Sequence, residues 1–298
     1  MHIYAKVVFL YKPNAKERNL NMFFPCTLLV YVFSGLATPC RQGPEISGDT
    51  LKLVVDANGA IIRGDVSKQE IALVLTGDEF GDGGMPICET LRKHQVHASF
   101  FLTGNFYRNP SFKKLIAGLK KDGHYLGGHS DKHLLYADWT KRDSLLVTEQ
   151  EFKADLLANY KTMASFGIRK EDALYFLPPY EWYNAQIARW TTELGLHLVN
   201  YSPGTRSAAD YTYPEMGARY VSSEDVYRSI LKKEETDHDG LNGFILLIHI
   251  GTDPRRTDKF YRRLDELLTE LSKDGYRFVT IDELLGGQPR DARSSSIK

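Results

Sequence analysis

From Ile71 onward the chain alternates short apolar runs with amphipathic stretches of helical length. Two of the apolar runs, IALVLT at Ile71–Thr76 and FILLIH at Phe244–His249, contain no Asp, Glu, Lys or Arg. Strands that are apolar throughout are typical of a parallel sheet covered on both faces. Because strands alternating with helices predict βαβ units, about seven units in about 230 residues favour one parallel α/β barrel over two open sheets.

Composition excludes some functions without selecting one. The 298 residues include 38 Lys plus Arg and 38 Asp plus Glu, so the formal net charge is zero. A nucleic-acid-binding protein would carry a basic excess, so nucleic acid is not an expected partner. Of the three cysteines, Cys26 and Cys40 precede the barrel pattern and Cys88 stands alone within it. No disulfide framework is therefore expected in the barrel.

The N-terminal region has the pattern of an export signal. Met22–Leu36 is an apolar run of about 15 residues, preceded by basic residues and followed by small ones, which is typical of a signal peptide and short for a membrane span. We expect residues 1–40 to be a signal peptide or a lipoprotein-type leader anchored at Cys40. The protein would then be periplasmic, lipid-anchored or secreted. The alternative is a buried element of the domain.

Turn signals divide the rest of the chain. We expect residues 41–66 to form a linker and a short hairpin around Asn58-Gly59. Residues 67–287 would form the barrel, and residues 288–298 a flexible tail. In parallel barrels the chemistry lies at the C-terminal ends of the strands, so those positions are the ones to inspect.

The first barrel strand ends in a loop of carboxylates and glycines. Thr76–Gly84 reads TGDEFGDGG and contains Asp78, Glu79 and Asp82. Glycine permits tight turns near a ligand, and clustered carboxylates repel one another unless a cation or a proton offsets them. A solvated acidic loop is the alternative interpretation.

A histidine pair follows the third barrel strand. His129 and His133 are four residues apart, which would place them on one face of a helical turn and close enough to hold one metal ion. With a carboxylate from the first loop they would make a His₂-carboxylate site with open positions, the catalytic kind of zinc site. The alternative is a chance pair on a helix.

Two further strand ends carry candidate residues. His249 ends the apolar run Phe244–His249, where it could reach the same end of the barrel or be a satisfied core histidine. The segment FLPPYEWYN contains Tyr180 and Trp182, which could form an aromatic wall for a sugar ring. The alternative is a rigid turn whose aromatic side chains only pack.

In this order, the strand-end motifs resemble those of the polysaccharide deacetylase family, carbohydrate esterase family four. The resemblance runs from about Ile71 to Leu285 and is that of a divergent branch. It implies a single distorted (β/α)₇ barrel and a metal-dependent hydrolase, with Zn²⁺ as the expected divalent ion.

The resemblance also implies roles for the first two motifs. Thr-Gly-Asp-Glu stands where the family has Thr-Phe-Asp-Asp, which would make Asp78 the catalytic base and Glu79 a metal ligand beside His129 and His133. In a competing register Asp82 is the ligand instead.

The remaining motifs extend this assignment. Leu-Pro-Pro-Tyr stands where the family has Arg-Pro-Pro-Tyr, so the Tyr180 N–H would stabilise the oxyanion, while Leu177 replaces an arginine that braces the base. Leu-Ile-His implies His249 as the general acid, with Asp210 as the candidate partner of that histidine.

The expected activity is removal of N- or O-linked acetyl groups from an oligo- or polysaccharide by a metal-activated water. Two alternatives remain. One is a related metal hydrolase that cuts another C–N bond, such as a sugar formamide. The other is a glycan-binding protein without catalysis, which the loss of the arginine at Leu177 favours.

Overall fold

A computed structural model of the chain describes residues 52–287. The predicted leader at residues 1–40, the predicted tail at 288–298 and the first part of the predicted linker lie outside the described residues, as do Cys26 and Cys40. Cys88 is buried and is not part of a disulfide.

The structure is an α/β fold whose sheet curls into a distorted barrel, which confirms the predicted fold class. In the described chain, strands β3 to β9 run parallel, and the order across the sheet is β1-β2-β8-β3-β4-β5-β6-β7, with β9 also paired to β3. The strands are β1 (Val54–Val55), β2 (Ile61–Arg63), β3 (Glu70–Gly77), β4 (Ser99–Leu102), β5 (Tyr125–Gly128), β6 (Tyr175–Phe176), β7 (His197–Leu198), β8 (Phe244–His249) and β9 (Arg277–Val279).

Eight α-helices of the described chain pack against this sheet, seven on its outer face and the short α8 at the barrel interior. They are α1 (Gly84–Lys93), α2 (Gly104–Arg108), α3 (Lys113–Lys121), α4 (Glu149–Ala164), α5 (Ala185–Glu193), α6 (Ser223–Thr236), α7 (Leu264–Lys273) and α8 (Ile281–Leu284). The long helix α4 begins with a capping box, in which the Thr148 hydroxyl and the Glu151 side chain satisfy each other's backbone N–H groups. The short helix α2 is not predicted by the sequence pattern.

The central strand β3 is buried on both faces, so its sequence is apolar throughout. Its side chains alternate between two buried clusters, because successive residues of a strand point to opposite faces. Leu73 and Leu75 pack with the helices, whereas Ala72 and Val74 pack inside the barrel, where α8 also contributes. The barrel is therefore filled, and a ligand can be bound only at its ends.

The N-terminal hairpin completes the barrel wall. β1 and β2 pair antiparallel across the turn at Asn58-Gly59, and Gly59 has a positive φ of 91°. Arg63 of β2 pairs with Phe244 of β8, while Ile61 bridges to Val199 just beyond β7. The hairpin thus fills the gap between the last strands of the barrel. No helix between residues 52 and 287 has the length and apolar character that crossing a bilayer requires.

Candidate active site

A cavity of about 450 Å³ opens at the C-terminal end of the parallel strands. Loops that follow β3, β5, β6 and β8 meet there, as the strand-end rule predicts. Residues proposed from the sequence share its lining with aromatic and charged residues that were not proposed. The lining includes Asp78, Glu79, His129, His133, Trp139, Tyr180, Glu181, Tyr211, His249 and Arg255.

Asp78 is held in place by hydroxyl and amide donors. Its Oδ1 accepts hydrogen bonds from Thr103 Oγ1 at 2.7 Å and from Asn105 Nδ2 at 3.1 Å. Its Oδ2 lies 3.9 Å from His133 Nδ1. One carboxylate oxygen is thus fixed, and the other is directed toward the histidine pair.

The other two carboxylates of this loop have different surroundings. Glu79 is exposed and lines the cavity. Asp82 points away from the histidines, since its Oδ1 accepts the Thr252 N–H at 2.9 Å and its Oδ2 lies 3.0 Å from Lys259 Nζ and 3.1 Å from the Tyr261 hydroxyl. These contacts engage Asp82 in tethering the loop after β8.

The histidine pair does not lie on a helical turn, so that part of the prediction is wrong. Residues 129–133 form an irregular loop in which Ser130 has a φ of 75° and His133 a φ of 56°. The two rings are nevertheless close, with centroids 5.2 Å apart. The sequence spacing predicted the proximity of the rings but not the backbone that produces it.

The buried face of α4 holds this loop. Asp155 Oδ2 accepts hydrogen bonds from the Ser130 hydroxyl at 2.6 Å and the Tyr136 hydroxyl at 2.7 Å, and Oδ1 accepts the Lys132 N–H at 3.0 Å. The Asp131 N–H also reaches Oδ2, at 3.3 Å. A carboxylate with this many donors compensates the backbone strain of the loop, because each donor would otherwise be buried without a partner.

His129 is oriented by a backbone carbonyl. Its Nδ1 donates to the Leu177 oxygen at 2.7 Å, which leaves Nε2 for a ligand. Burial, with the neighbouring His133, lowers the pKa of His129 well below its usual range. Burial also lowers the pKa of His133, although Asp78 opposes this effect. Both rings are therefore neutral near pH 7, the form that binds metal.

The donor types at this site fit a divalent ion of the zinc class. Two neutral imidazoles plus a carboxylate are the ligands of catalytic zinc sites. Across residues 52–287, however, no three His, Cys, Asp or Glu side chains are gathered closely enough to hold an ion. The histidines fit in type and protonation state, and Asp78 and Glu79 are the carboxylates of the cavity lining that come from the first loop.

His249, the last residue of β8, lines the cavity and forms a tight pair with Asp210. His249 Nδ1 lies 2.6 Å from Asp210 Oδ1, and the His249 N–H donates to Asp210 Oδ2 at 2.9 Å. Burial by itself lowers the pKa of His249, but the charge and the hydrogen bond of Asp210, together with the nearby Glu181, raise it above its usual value. The arrangement favours a protonated imidazole.

The turn after β6 has an unusual backbone. Both Tyr180 and Glu181 lie in the left-handed region, with φ of 59° and 52°. The N–H groups of Glu181 and Trp182 are taken by the carbonyls of the two prolines before them. Between residues 52 and 287 no backbone carbonyl accepts the Tyr180 N–H, which leaves it free to serve as an oxyanion donor. The Leu177 side chain is fully buried in the apolar barrel interior.

The aromatic wall differs from the prediction in one member. Tyr180 lines the cavity, and its ring lies 4.4 Å from that of His133. Trp182 does not line the cavity, and its ring centroid lies 5.3 Å from that of Trp139. Trp139, which is 55% exposed, faces the cavity in its place. Arg142 and the Asp138 carbonyl hold Trp182 from behind.

Glu181 was also missed from the sequence. It lines the cavity near His249 and Asp210, and burial raises its pKa to about 7. Nothing in the motif distinguishes it from an ordinary turn residue. Thr103 and Asn105, by contrast, follow β4 directly, so inspecting the end of that strand would have found them.

Comparison with known proteins agrees with the fold and with the family resemblance. The sequence model of the family described as "Polysaccharide deacetylase" matches residues 66–199. The peptidoglycan-N-acetylmuramic acid deacetylase PdaA of Bacillus subtilis is 25% identical over 255 residues, 84% of each chain. A peptidoglycan-N-acetylglucosamine deacetylase of Bacillus cereus is 27% identical over 227 residues, 74% of this chain and 91% of the relative.

Solved structures agree on the fold. The crystal structure of Bacillus subtilis PdaA, a family 4 carbohydrate esterase, covers 76% of this chain and 85% of its own, with a TM-score of 0.57 and 23% identity. A family 4 pseudoenzyme from Bacillus anthracis covers 77% and 69%, with a TM-score of 0.60 and 19% identity. At these identities the structural likeness concerns the fold alone. Together, these matches define a barrel of the carbohydrate esterase class. The chain belongs to the polysaccharide deacetylase family.

Replacement of Asp155 by Asn should loosen the histidine loop. The amide would turn an NH₂ group toward hydroxyl and N–H donors, so we expect the free energy of unfolding to fall by roughly 2–4 kcal/mol. Urea denaturation measures the loss, and hydrogen exchange at the Lys132 N–H should accelerate. Asp143→Asn, at an exposed position, is the matched control. Equal stability of D155N and D143N would contradict this account of the loop.

Proposed function

We propose that the protein is a hydrolase that removes acetyl groups from an acetylated carbohydrate, N- or O-linked. The observation that carries the proposal is a single cavity lined by Asp78, two neutral histidines and a His249 that is paired with Asp210. Several relatives are named peptidoglycan deacetylases, which supports a glycan substrate. Zero net charge also suits a largely uncharged polymer.

In the proposed reaction Asp78 is the general base. Its Oδ1 is occupied by Thr103 and Asn105, so Oδ2 is the oxygen that takes the proton of the attacking water. When held by His129, His133 and Glu79, a divalent ion, most simply Zn²⁺, supplies Lewis-acid polarisation of the acetyl carbonyl.

The tetrahedral oxyanion requires preorganised donors. The Tyr180 N–H is available for this role because its neighbours, and not Tyr180 itself, make the backbone hydrogen bonds of the turn. A donor of this type contributes about 3–4 kcal/mol to transition-state stabilisation. The left-handed backbone of Tyr180 and Glu181 orients that N–H, so the strain of the turn serves the chemistry.

His249 is the proposed general acid. Its Nδ1–H is committed to Asp210, so Nε2–H is the proton available to the leaving amine or alcohol. The products are acetate and a free amino or hydroxyl group on the sugar. We further propose that the reaction takes place outside the cytoplasm, since the leader predicted at residues 1–40 would direct export.

A glycan-binding protein without catalysis is the second candidate. Two observations favour it: Leu177 places no charge near the base, and residues 52–287 contain no gathered group of three ligands. A family 4 pseudoenzyme also shares the fold, so the barrel persists without activity. Turnover separates the two functions.

The first experiment measures acetate and formate release from acetylated glycans. We expect wild-type protein to release acetate, and we expect loss of more than about 100-fold after chelation or in H129A, because either change removes the Lewis acid. His238→Ala, at an exposed position far from the motifs, is the matched control. Full activity of H129A would refute the metal assignment, and formate in place of acetate would indicate a deformylase.

Zinc content of the same preparations identifies the carboxylate ligand. We expect Glu79→Ala to lose zinc and Asp82→Asn to retain it, since the Asp82 carboxylate is engaged by Lys259 and Tyr261. Retention by E79A with loss in D78N would assign Asp78 as the ligand instead.

Removing the partner of His249 should change the pH dependence. Asp210 raises the pKa of His249, and a general acid must be protonated, so activity should fall as pH rises through that pKa. In Asp210→Asn the pKa falls, and the high-pH limb of kcat/KM should move to lower pH. Asp253→Asn, a cavity carboxylate paired with Arg255, is the control. An unmoved limb in D210N would exclude His249 as the acid.

Trp139 should contribute to glycan binding rather than to chemistry. Loss of an exposed aromatic platform costs about 1.4 kcal/mol, or about tenfold in affinity. We expect Trp139→Ala to raise KM for an oligosaccharide about tenfold and to leave kcat on a small acetyl ester unchanged. Trp139→Phe should retain most of the binding, and Leu157→Ala is an exposed apolar control. An unchanged KM in W139A would remove Trp139 from the binding surface.

A further inference from the structure

The support of Asp78 depends on the orientation of one amide. Asn105 donates its Nδ2 to Asp78 Oδ1 at 3.1 Å. If the amide were flipped, its oxygen would face the carboxylate and the contact would be repulsive. Something must therefore determine which way the Asn105 amide points.

Arg108 determines that orientation. Its Nη2 donates to Asn105 Oδ1 at 3.0 Å, and a guanidinium can only donate. The amide oxygen must therefore face Arg108, and the NH₂ group must face Asp78. The two residues are three apart on α2, one turn of the helix, so the local sequence brings them together.

The same guanidinium also holds the histidine loop. Its Nη1 donates to Asp131 Oδ1 at 2.6 Å, and its Nη2 lies 3.3 Å from the Asp131 carbonyl. Asp131 is 5% exposed and lies between His129 and His133 in the chain. A planar guanidinium can bond both partners at once because its donors are fixed in a fork.

The close fit of α2 against this loop depends on a glycine. A Cβ on Gly104 would lie 1.9 Å from Asp131 Oδ1 and 2.7 Å from Arg108 Nη1. In addition, the Asn105 N–H donates to the Asp131 carbonyl at 3.1 Å. The sequence Thr-Gly-Asn-Phe-Tyr-Arg after β4 thus brings the base and the histidine loop to one cation.

We propose that Arg108 is a positioning residue that aligns Asp78, through Asn105, with the His129–His133 loop, through Asp131. The inference rests on the proposed function, in which Asp78 is the base. Arg108 does not line the cavity and acts through Asn105 and Asp131, while its Nη1 also lies 3.5 Å from Thr162 Oγ1. Its side chain is 47% exposed, and such an ion pair contributes little to global stability, so the effect should appear in turnover.

Turnover of Arg108→Ala should fall without a matching loss of binding. We expect kcat to fall roughly 10- to 100-fold, because small misplacements of a catalytic group have effects of this size, while KM changes less than about twofold. Arg108→Lys keeps the charge but loses the fork, so its kcat should be intermediate. Millimolar guanidinium should partly rescue R108A. Arg189→Ala, an exposed helical arginine bonded to Gln186, is the control and should behave as wild type.

A double variant tests whether Arg108 acts through Asn105. Asn105→Ala removes the link, so we expect N105A and R108A to be non-additive, with the double variant no slower than R108A. Multiplied losses in the double variant would overturn the relay. Wild-type kcat in R108A would overturn the inference as a whole. So would an R108A protein that folds poorly but whose folded fraction keeps wild-type kcat, or an R108K protein with wild-type kcat.

A readout independent of activity separates this inference from the proposed function. The Asn105 side-chain amide protons should exchange slowly with solvent in wild-type protein, as observed by NMR, and at least about tenfold faster in R108A but not in R189A. Unchanged exchange in R108A would refute the positioning role even in an inactive protein. The opposite combination is also informative. If wild type releases no acetate but exchange is accelerated in R108A, the proposed function is refuted and the positioning role of Arg108 still stands.

Discussion

The carboxylate of Asp155 is the contact on which the geometry of the site most depends. It lies on the buried face of α4 and accepts hydrogen bonds from Ser130, Lys132 and Tyr136, with the Asp131 N–H also in reach. Since these donors flank the histidines, Asp155 stabilises a loop whose backbone is strained at Ser130 and His133. Four residues further along the same face, Asn159 accepts the His129 N–H and donates to the Leu102 carbonyl, so the loop is also tied to β4.

Charge is distributed across the cavity in a way that separates the roles of its histidines. Burial keeps His129 and His133 neutral, whereas at His249 the Asp210 carboxylate and Glu181 raise the pKa against the effect of burial and favour the charged form. The same cavity therefore holds two neutral imidazoles and one imidazole that favours the protonated form. Leu177 is buried in the apolar barrel interior, and two uncharged side chains, Thr103 and Asn105, hold the Asp78 carboxylate.

The fold and much of the candidate site can be predicted from the sequence because both depend on strand patterns. Apolar runs such as Ile71–Thr76 and Phe244–His249 define β3 and β8, and residues just after such strands must meet at one end of a barrel. Even Asp210, chosen without a motif, lies against His249. Loop conformation was beyond reach: the histidine pair was assigned to a helical turn, although buried side chains of α4 hold it in a strained loop. Trp139 was missed for the same reason, since its position depends on Trp182 and on the loop that carries it.

A cavity that performs hydrolysis and one that merely binds glycan leave different products. The most direct test is the mass spectrum of an N-acetylglucosamine oligomer of defined length after incubation with zinc-loaded wild-type protein and with Asp78→Asn. We expect wild type to give products that have lost whole acetyl groups, and D78N to give at least about 100-fold less product at unchanged glycan affinity. An unmodified oligomer that binds equally well to both proteins would contradict hydrolysis and identify a glycan-binding protein.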